Sequence, residues 1–468
     1  MNSIRLLFVI VLVPFFLKAS VPDTLGFNEY FALLVANHPF AKMADIRTLI
    51  GNTTFANAQG AFEPTLNADY NRKSFEGKNY YSFFNSEIKI PAWIGEVKAG
   101  YDYNYGININ PDMIIPMQGQ AYVGLSVPLV RYLITDKKRT ELRLAKVYEQ
   151  GTTFERIDML NTLFVQATTA YWQWSSAFQI YKINLNALEL SQKRHQFIIS
   201  AATFGDRPFI DTIESLTQVQ NRKVMLSKSK TDWLKSTYDL SNFLWNTEGN
   251  PIIIDTVIIP EIPDMKKIEA ALVLDDELNQ LTSQPEVNLA QLKVKSLVLE
   301  RRLKRQELLP RLNANYYLLS NGAQFGAYKT NSAFTERYKF GFEFQMPMLL
   351  AQARSQAKLA TFKLKEAELS LVAKTQAVNV KVRNYWYDFE NTRQQLNEVQ
   401  QMIINYSKLL EAEQDKFSIG ESNVFLINTR ENKYVEALEK SYELFLKLYY
   451  YEALLYQQSG SLYKKILK

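Results

Sequence analysis

The chain has 468 residues, with 54 Lys and Arg against 48 Asp and Glu, and a formal net charge of +6 that is mild for its length. No basic block stands out, so nucleic acid is not expected as a partner. Cysteine is absent and histidine occurs only at His38 and His195, which excludes disulfides, thiol catalysis, cysteine zinc sites and most His-based metal or acid–base centres.

Residues 1–20 combine Arg5, an apolar run from Leu6 to Leu17 and the context Leu17-Lys18-Ala19. This is the layout of a secretory signal peptide, with an uncleaved membrane anchor as the alternative. No other run approaches the ~18 apolar residues of a spanning helix, so an exported chain of this kind enters a bilayer as a barrel or not at all.

A helical pattern of roughly 30 residues, Phe27 to Gly60, stops short of Pro64, where a strand begins. Glu87 and Lys89 then alternate with Ser86, Ile88 and Ile90, and Val97, Ala99, Tyr101, Tyr103 and Tyr105 alternate with Lys98, Gly100, Asp102 and Asn104. Between them Pro91 to Gly95 reads as a turn, making a hairpin at about 81–106. A returning strand follows, in which Ala121, Val123, Leu125, Val127 and Leu129 alternate with Gln120, Tyr122, Gly124 and Ser126. Period two with one apolar face marks strands with a dry side and a wet side. Ten-residue segments of this kind suit a transmembrane barrel, and equally a half-buried hairpin of a soluble domain.

From Ile157 an apolar seam steps by threes and fours through Leu160, Phe164, Ala167, Tyr171, Trp174, Phe178, Tyr181, Leu185, Leu188, Gln192, His195, Ile199 and Ala202. A sustained 3.5-residue period predicts coiled-coil-like packing. A helix from about Thr135 to Ala202 would run roughly 100 Å. His195 on this seam reads as a packed or hydrogen-bonded histidine, not a metal ligand. The rod ends in the turn Phe204-Gly205-Asp206-Arg207-Pro208, glycine being the usual residue past a helix C-terminus. A second helix, Phe209 to Trp245, runs back.

The same grammar then recurs. His38-Pro39 returns as Gln284-Pro285, and Glu63-Pro64-Thr65-Leu66-Asn67-Ala68-Asp69-Tyr70 as Leu309-Pro310-Arg311-Leu312-Asn313-Ala314-Asn315-Tyr316. Val127-Pro128-Leu129 matches Met346-Pro347-Met348, Tyr171-Trp172 matches Tyr385-Trp386, and Gly205-Asp206 matches Gly420-Glu421. The first copy carries ~27 additional residues between its strands. In the second copy a helix from Asp276 to Leu308 leads to Leu312, Ala314, Tyr316 and Leu318 on one face. Tyr338, Phe340, Phe342, Phe344, Met346 and Met348 form the returning face. A second seam runs from Val378 to Phe417, a turn falls at Ile419-Gly420-Glu421-Ser422-Asn423, and a helix returns from Val424 to about Gln458. The chain thus divides into a signal segment (1–20), a first repeat (21–246), a proline-bearing linker (247–275), a second repeat (276–460) and a tail (461–468). The two turns should lie side by side.

Ala36-Asn37-His38-Pro39, the strand openings at Pro64 and Pro310, Val127-Pro128-Leu129 and the tip Gly420-Glu421-Ser422-Asn423-Val424-Phe425-Leu426 together resemble the TolC-like outer-membrane efflux proteins, over essentially the whole mature chain. The resemblance implies a mainly α fold with β: an outer-membrane β-barrel shared by a homotrimer, on a long α-helical coiled-coil tunnel through the periplasm. It implies four strands per protomer and twelve in all, and the hairpin at 81–106 departs from that pattern. Implied partners are a periplasmic adaptor and an inner-membrane pump, docking at Phe204, Gly205, Asp206, Arg207, Pro208, Ile419, Gly420, Glu421, Ser422 and Asn423. Asp211, with Glu214 one turn on, matches carboxylates that ring the entrance in the family. The second copy has Leu426 and Thr429 there, and the first-copy pair also reads as acidic residues complementing a helix dipole. There is no phosphate-binding glycine loop, nucleophile elbow or metal-spaced His cluster, so neither enzyme activity nor a cofactor is expected. The expected role is a passive exit duct for efflux or type I secretion; a soluble periplasmic coiled-coil scaffold or adaptor is the alternative.

Overall fold

The computed structural model describes residues 24–255, 257–261, 274–323 and 336–466. The expected signal segment, the 262–273 part of the linker and the 324–335 connection lie outside them. In chain order the elements are β1 (Thr24–Leu25), α1 (Phe27–Asn37), α2 (Pro39–Gly60), β2 (Thr65–Phe75), β3 (Lys78–Pro91), β4 (Glu96–Tyr105), β5 (Gln120–Pro128), α3 (Lys137–Thr203), α4 (Ile210–Ser241), β6 (Ile259–Pro260), α5 (Leu274–Asn279), α6 (Pro285–Gln306), β7 (Arg311–Leu319), β8 (Tyr338–Gln345), α7 (Ala351–Ser418), α8 (Val424–Ser459) and α9 (Leu462–Ile466). Among the described residues no helix is long and apolar enough to cross a membrane.

Each helical stretch that leads into a strand is broken, where the sequence pattern suggested one continuous helix. His38 is extended (φ −63°, ψ 129°) between α1 and α2, and Gln284 is likewise extended (φ −67°, ψ 122°) before α6. Both precede a proline, whose ring excludes the helical conformation from the residue before it. The proline then opens the next helix, where its missing N–H leaves nothing unsatisfied. Both break residues cap that helix: His38 Nδ1 accepts from the Phe40 N–H at 3.1 Å and Gln284 Oε1 from the Val287 N–H at 2.9 Å. The returning strand of the second copy also ends earlier than its alternation, at Gln345, just ahead of Pro347, which offers no N–H to a ladder.

The described residues pack as two units, one from parts of 1–41, 163–272 and 385–454, the other from parts of 42–162, 273–384 and 455–468. In the first unit an aromatic core joins α1, α3 and α8. Tyr30, Phe31, Phe164, Tyr171, Trp174 and Phe445 are buried there. Trp172 stacks on Tyr449 at 4.2 Å between centroids. The polar ends of these rings are satisfied, as buried Tyr and Trp require: Tyr30 donates to the Ala167 carbonyl, Tyr171 to that of Leu25, and Trp174 Nε1 to Thr237 Oγ1. β1 pairs in parallel with β6, holding the start of the first repeat to the linker that follows it.

In the second unit α2 crosses α3 closely at Gly51, where a Cβ would stand 2.3 Å from Thr152 Oγ1. Arg156 ties α3 to Asp45 at 2.6 Å and to the Tyr463 hydroxyl at 2.7 Å. This unit also holds one six-stranded sheet of order β2-β3-β4-β5-β7-β8, antiparallel throughout. The additional hairpin is therefore part of that sheet: β3 pairs with β2 and β4 with β5.

Candidate functional site

Two features carry chemistry, the helix tips in one unit and the sheet in the other. At the tips, α3 and α7 end in the same way. Gly205 and Gly420 both have φ +81°, with nothing within 4 Å of where a Cβ would sit, so the glycines are required by backbone conformation and not by space. The Asp206 N–H reaches the Ala201 carbonyl and the Gly205 N–H that of Ala202; Glu421 and Gly420 make the equivalent bonds to Lys416 and Phe417. This Schellman closure satisfies the last carbonyls of each rod. Asn423 Oδ1 then caps α8 by accepting from the Leu426 N–H at 2.9 Å, while α4 starts at Phe209 with no side-chain cap.

The two tips do lie side by side, and Arg207 joins them. Its guanidinium donates to the carbonyls of Phe417 and Ser422, each at 3.0 Å, and sits 4.1 Å from the Phe417 ring centroid. Arg207 is thus turned inward, as is Ser422, which donates to Glu413. Phe204, Gly205, Asp206, Pro208, Ile419, Gly420, Glu421 and Asn423 face outward. Phe204 is 83% and Ile419 69% exposed, with Phe209, Ile210, Ile213 and Phe425 exposed beside them. Next to these, His195, Ile199, Ala202, Phe209, Ile213 and Leu216 line a largely apolar cavity of about 410 Å³ between α3 and α4. His195 Nδ1 lies 2.8 Å from Ser215 Oγ, the hydrogen-bonded state expected of it. Phe209, Ile210, Ile213 and the cavity were not singled out from the sequence. The available signal was a run of large apolar residues directly after the turn, outside either seam.

Asp211 and Glu214 share one face of the first turns of α4. Asp211 is 4.0 Å from Arg207, which partly offsets its charge. Partial burial and the neighbouring Asp211 charge raise the Glu214 carboxyl above its usual range.

Above the tips the seams diverge. In α7, Val378, Val382, Phe389, Thr392, Leu396, Val399 and Phe417 are buried along the predicted line. In α3 the buried line follows it to Phe178 and then slips by one residue to Asn184, Ala187, Ser191 and Ile198, leaving Leu185 and Ile199 exposed. Polar contacts pull the helix over. Asn184 donates to Glu439 at 2.6 Å, and Arg194 pairs with Glu431 at 2.5 Å and with Asn428 at 3.0 Å. From α4, Arg222 and Gln218 both donate to Asn432 Oδ1, at 2.7 and 2.8 Å. Glu431 and Arg222 are buried. Burial lowers the Arg222 guanidinium and the charge of Glu431 opposes that; burial raises the Glu439 carboxyl.

In the sheet, register aligns a largely apolar face from strand to strand, although Arg72 and Ser82 fall on it and Tyr81 and Phe83 fall on the other. Leu66 lies opposite Ile88 and Tyr70 opposite Phe84; Ile88 opposes Ala99 and Phe84 opposes Tyr103. Ala99 opposes Val123 and Val97 opposes Leu125. Leu125 opposes Tyr316, and Tyr316 opposes Phe340. The other face carries Asn67, Asp69, Glu87, Lys89, Lys98, Asp102, Asn313, Asn315, Lys339 and Glu343. The apolar face is open: Leu66, Tyr70, Leu125, Phe340, Phe342 and Phe344 are all exposed. An apolar surface this broad marks contact with lipid or another protein.

Neither a family model nor a curated sequence matches this chain. Solved structures do. The CmeC outer membrane channel of Campylobacter jejuni aligns over 93% of this chain and 85% of its own at 12% identity, with a TM-score of 0.66. The outer membrane protein VceC of Vibrio cholerae aligns over 92% and 95% at 10% identity, TM-score 0.63. The open MtrE outer membrane channel of Neisseria gonorrhoeae aligns over 93% and 89% at 12% identity, TM-score 0.63. The fold is that of the outer-membrane channels.

Proposed function

We propose that the protein is an outer-membrane exit duct, a homotrimer whose strands share one barrel in the outer membrane and whose helices extend as a tunnel into the periplasm. The observation that carries this reading is the sheet. One face, largely apolar and aromatic, is open to the surroundings and the opposite face is mostly polar, the arrangement of a wall between lipid and water. Six strands cannot close alone, and unpaired edges are not tolerated in lipid, so assembly is obligatory. The likeness in fold to outer-membrane channels supports the same reading. A periplasmic adaptor, itself coupled to an inner-membrane pump, would dock on Phe204, Gly205, Asp206, Pro208, Ile419, Gly420, Glu421 and Asn423, with Phe209 and the neighbouring cavity as apolar anchors. Arg207 and Ser422 would hold the two tips in register beneath it. Asp211 and Glu214 would line the entrance.

A soluble periplasmic scaffold would leave the aromatic face of the sheet in water, which argues against it. Fractionation tests the choice: the protein should require detergent for extraction from the outer membrane and run as a trimer when unboiled. Recovery as a monomer from the soluble periplasm without detergent would overturn the duct.

A further inference from the structure

We propose that the additional hairpin, β3 and β4, is part of the barrel wall, and that the trimer closes by pairing β2 of one copy with β8 of the next into an eighteen-stranded barrel. The proposal rests on the duct reading and goes beyond it in strand number, edge pairing and bore.

Three observations carry it. First, β3 and β4 sit within the sheet, β3 paired with β2 from Lys78 to Lys89 and β4 paired with β5 from Glu96 to Asp102. Removing them from the wall would break two ladders. Second, their faces agree with those of the other strands. Ile88 and Ala99 fall in the apolar layer, while the adjacent Lys89 and Lys98, which oppose each other, fall in the polar one. A hairpin projecting into water needs no such match, whereas a wall with lipid on one side favours it in each strand.

Third, among the described residues the strand edges left unpaired in the sheet are those of β2 and β8. In an antiparallel sheet of six strands the first and last run in opposite directions. The β2 edge of one copy is therefore antiparallel to the β8 edge of the next, and head-to-tail addition of identical copies extends the same ladder until it closes. Three copies give eighteen strands. With strands ~4.8 Å apart and tilted by ~40°, these enclose a cylinder ~36 Å across the backbone, against ~24 Å for twelve. A barrel of this size keeps an aqueous channel.

The natural absence of cysteine permits a direct test. Single variants Ile88→Cys, Ala99→Cys, Lys89→Cys and Lys98→Cys are exposed to a membrane-impermeant maleimide in outer-membrane fragments, with denatured samples as the control for reactivity. In parallel, Asn67→Cys, Asp69→Cys or Asn71→Cys on β2 is combined with Lys339→Cys, Gly341→Cys or Glu343→Cys on β8, then oxidised. The expected result is labelling at Lys89→Cys and Lys98→Cys, its loss at Ile88→Cys and Ala99→Cys, and a cross-linked ladder ending at the trimer. Labelling at all four positions in a protein that cross-links as a trimer places the hairpin outside the wall, overturning the eighteen strands while the duct stands. A ladder ending at another number, or no cross-link in a protein that still migrates as a trimer, overturns the closure. A monomer in every assay removes the duct reading as well.

Discussion

Glu431 is the residue on which the packing of α3, α4 and α8 converges. It is buried, and its carboxylate faces Arg194 at 2.5 Å and Arg222 at 3.6 Å. Removing one partner of such a group strands the others without compensation, which costs about 3 kcal/mol or more. Glu431→Gln should therefore lower the thermal midpoint of the detergent-solubilised protein by several degrees, while Glu436→Gln on the exposed face should leave it unchanged. Equal midpoints for the two variants would count against a structural role for the pair. His38 makes a pH-dependent contribution. Burial holds its imidazole below the ordinary value of 6.5, and Nδ1 is occupied in accepting the Phe40 N–H. The folded protein thus favours the neutral ring, and the unfolded chain binds the proton more readily. Stability is fully present above about pH 6.5 and is lost as pH falls through the lowered folded value. His38→Gln should flatten the dependence of the thermal midpoint on pH between 7 and 5; an unchanged slope would place the proton uptake elsewhere.

At the scale of elements, the strands separate mostly apolar from mostly polar positions residue by residue, and in the proposed barrel these would face lipid and water. Leu125 lies near the middle of β5 on the apolar face and Ser126 beside it on the polar one. An arginine at a lipid-facing midplane position costs about 2–4 kcal/mol, and little on the lumen side. Leu125→Arg should reduce the yield of heat-resistant assembled protein in the outer membrane, whereas Ser126→Arg should assemble normally. Equal yields would mean that the sheet does not separate lipid from water. The same elements show how much was legible beforehand. Alternation assigned the faces of β3, β4, β5, β7 and β8 correctly, because a strand's side-chain period follows from its backbone. The breaks at His38 and Gln284 were present as X-Pro pairs, yet the helical pattern on either side concealed them. The slip of the α3 seam after Phe178 was not legible. Asn184 and Arg194 look like solvated polar residues until α8 brings Glu439, Asn428 and Glu431 against them.

In the proposed duct, charge on the bore would decide ion preference. The polar face of the sheet is close to balanced, with Asp69, Glu87, Glu96, Asp102 and Glu343 against Lys73, Lys89, Lys98, Arg311 and Lys339. A balanced lining of this kind selects weakly, since rings of one sign are what discriminate. Any cation preference should therefore come from Asp211 and Glu214. In planar bilayers under a salt gradient, the reversal potential should favour cations in the unmodified protein and approach zero in the Asp211→Asn, Glu214→Gln double variant. The same potential in both would exclude these carboxylates from the conducting path.

Local order along the chain settled the duplication, the strand faces, the two glycine turns, the α7 seam and the α3 seam as far as Phe178, because each depends on backbone periodicity or on a conformation that one residue type adopts cheaply. Contacts between residues far apart in the chain settled the rest. That β5 neighbours β7, that the inserted hairpin runs in line with the other strands, that β2 and β8 are left as edges, and that Arg207 spans from one tip to the other are choices among pairings of similar local quality. Hydrogen-bond register and side-chain packing select among them only once the whole chain is folded.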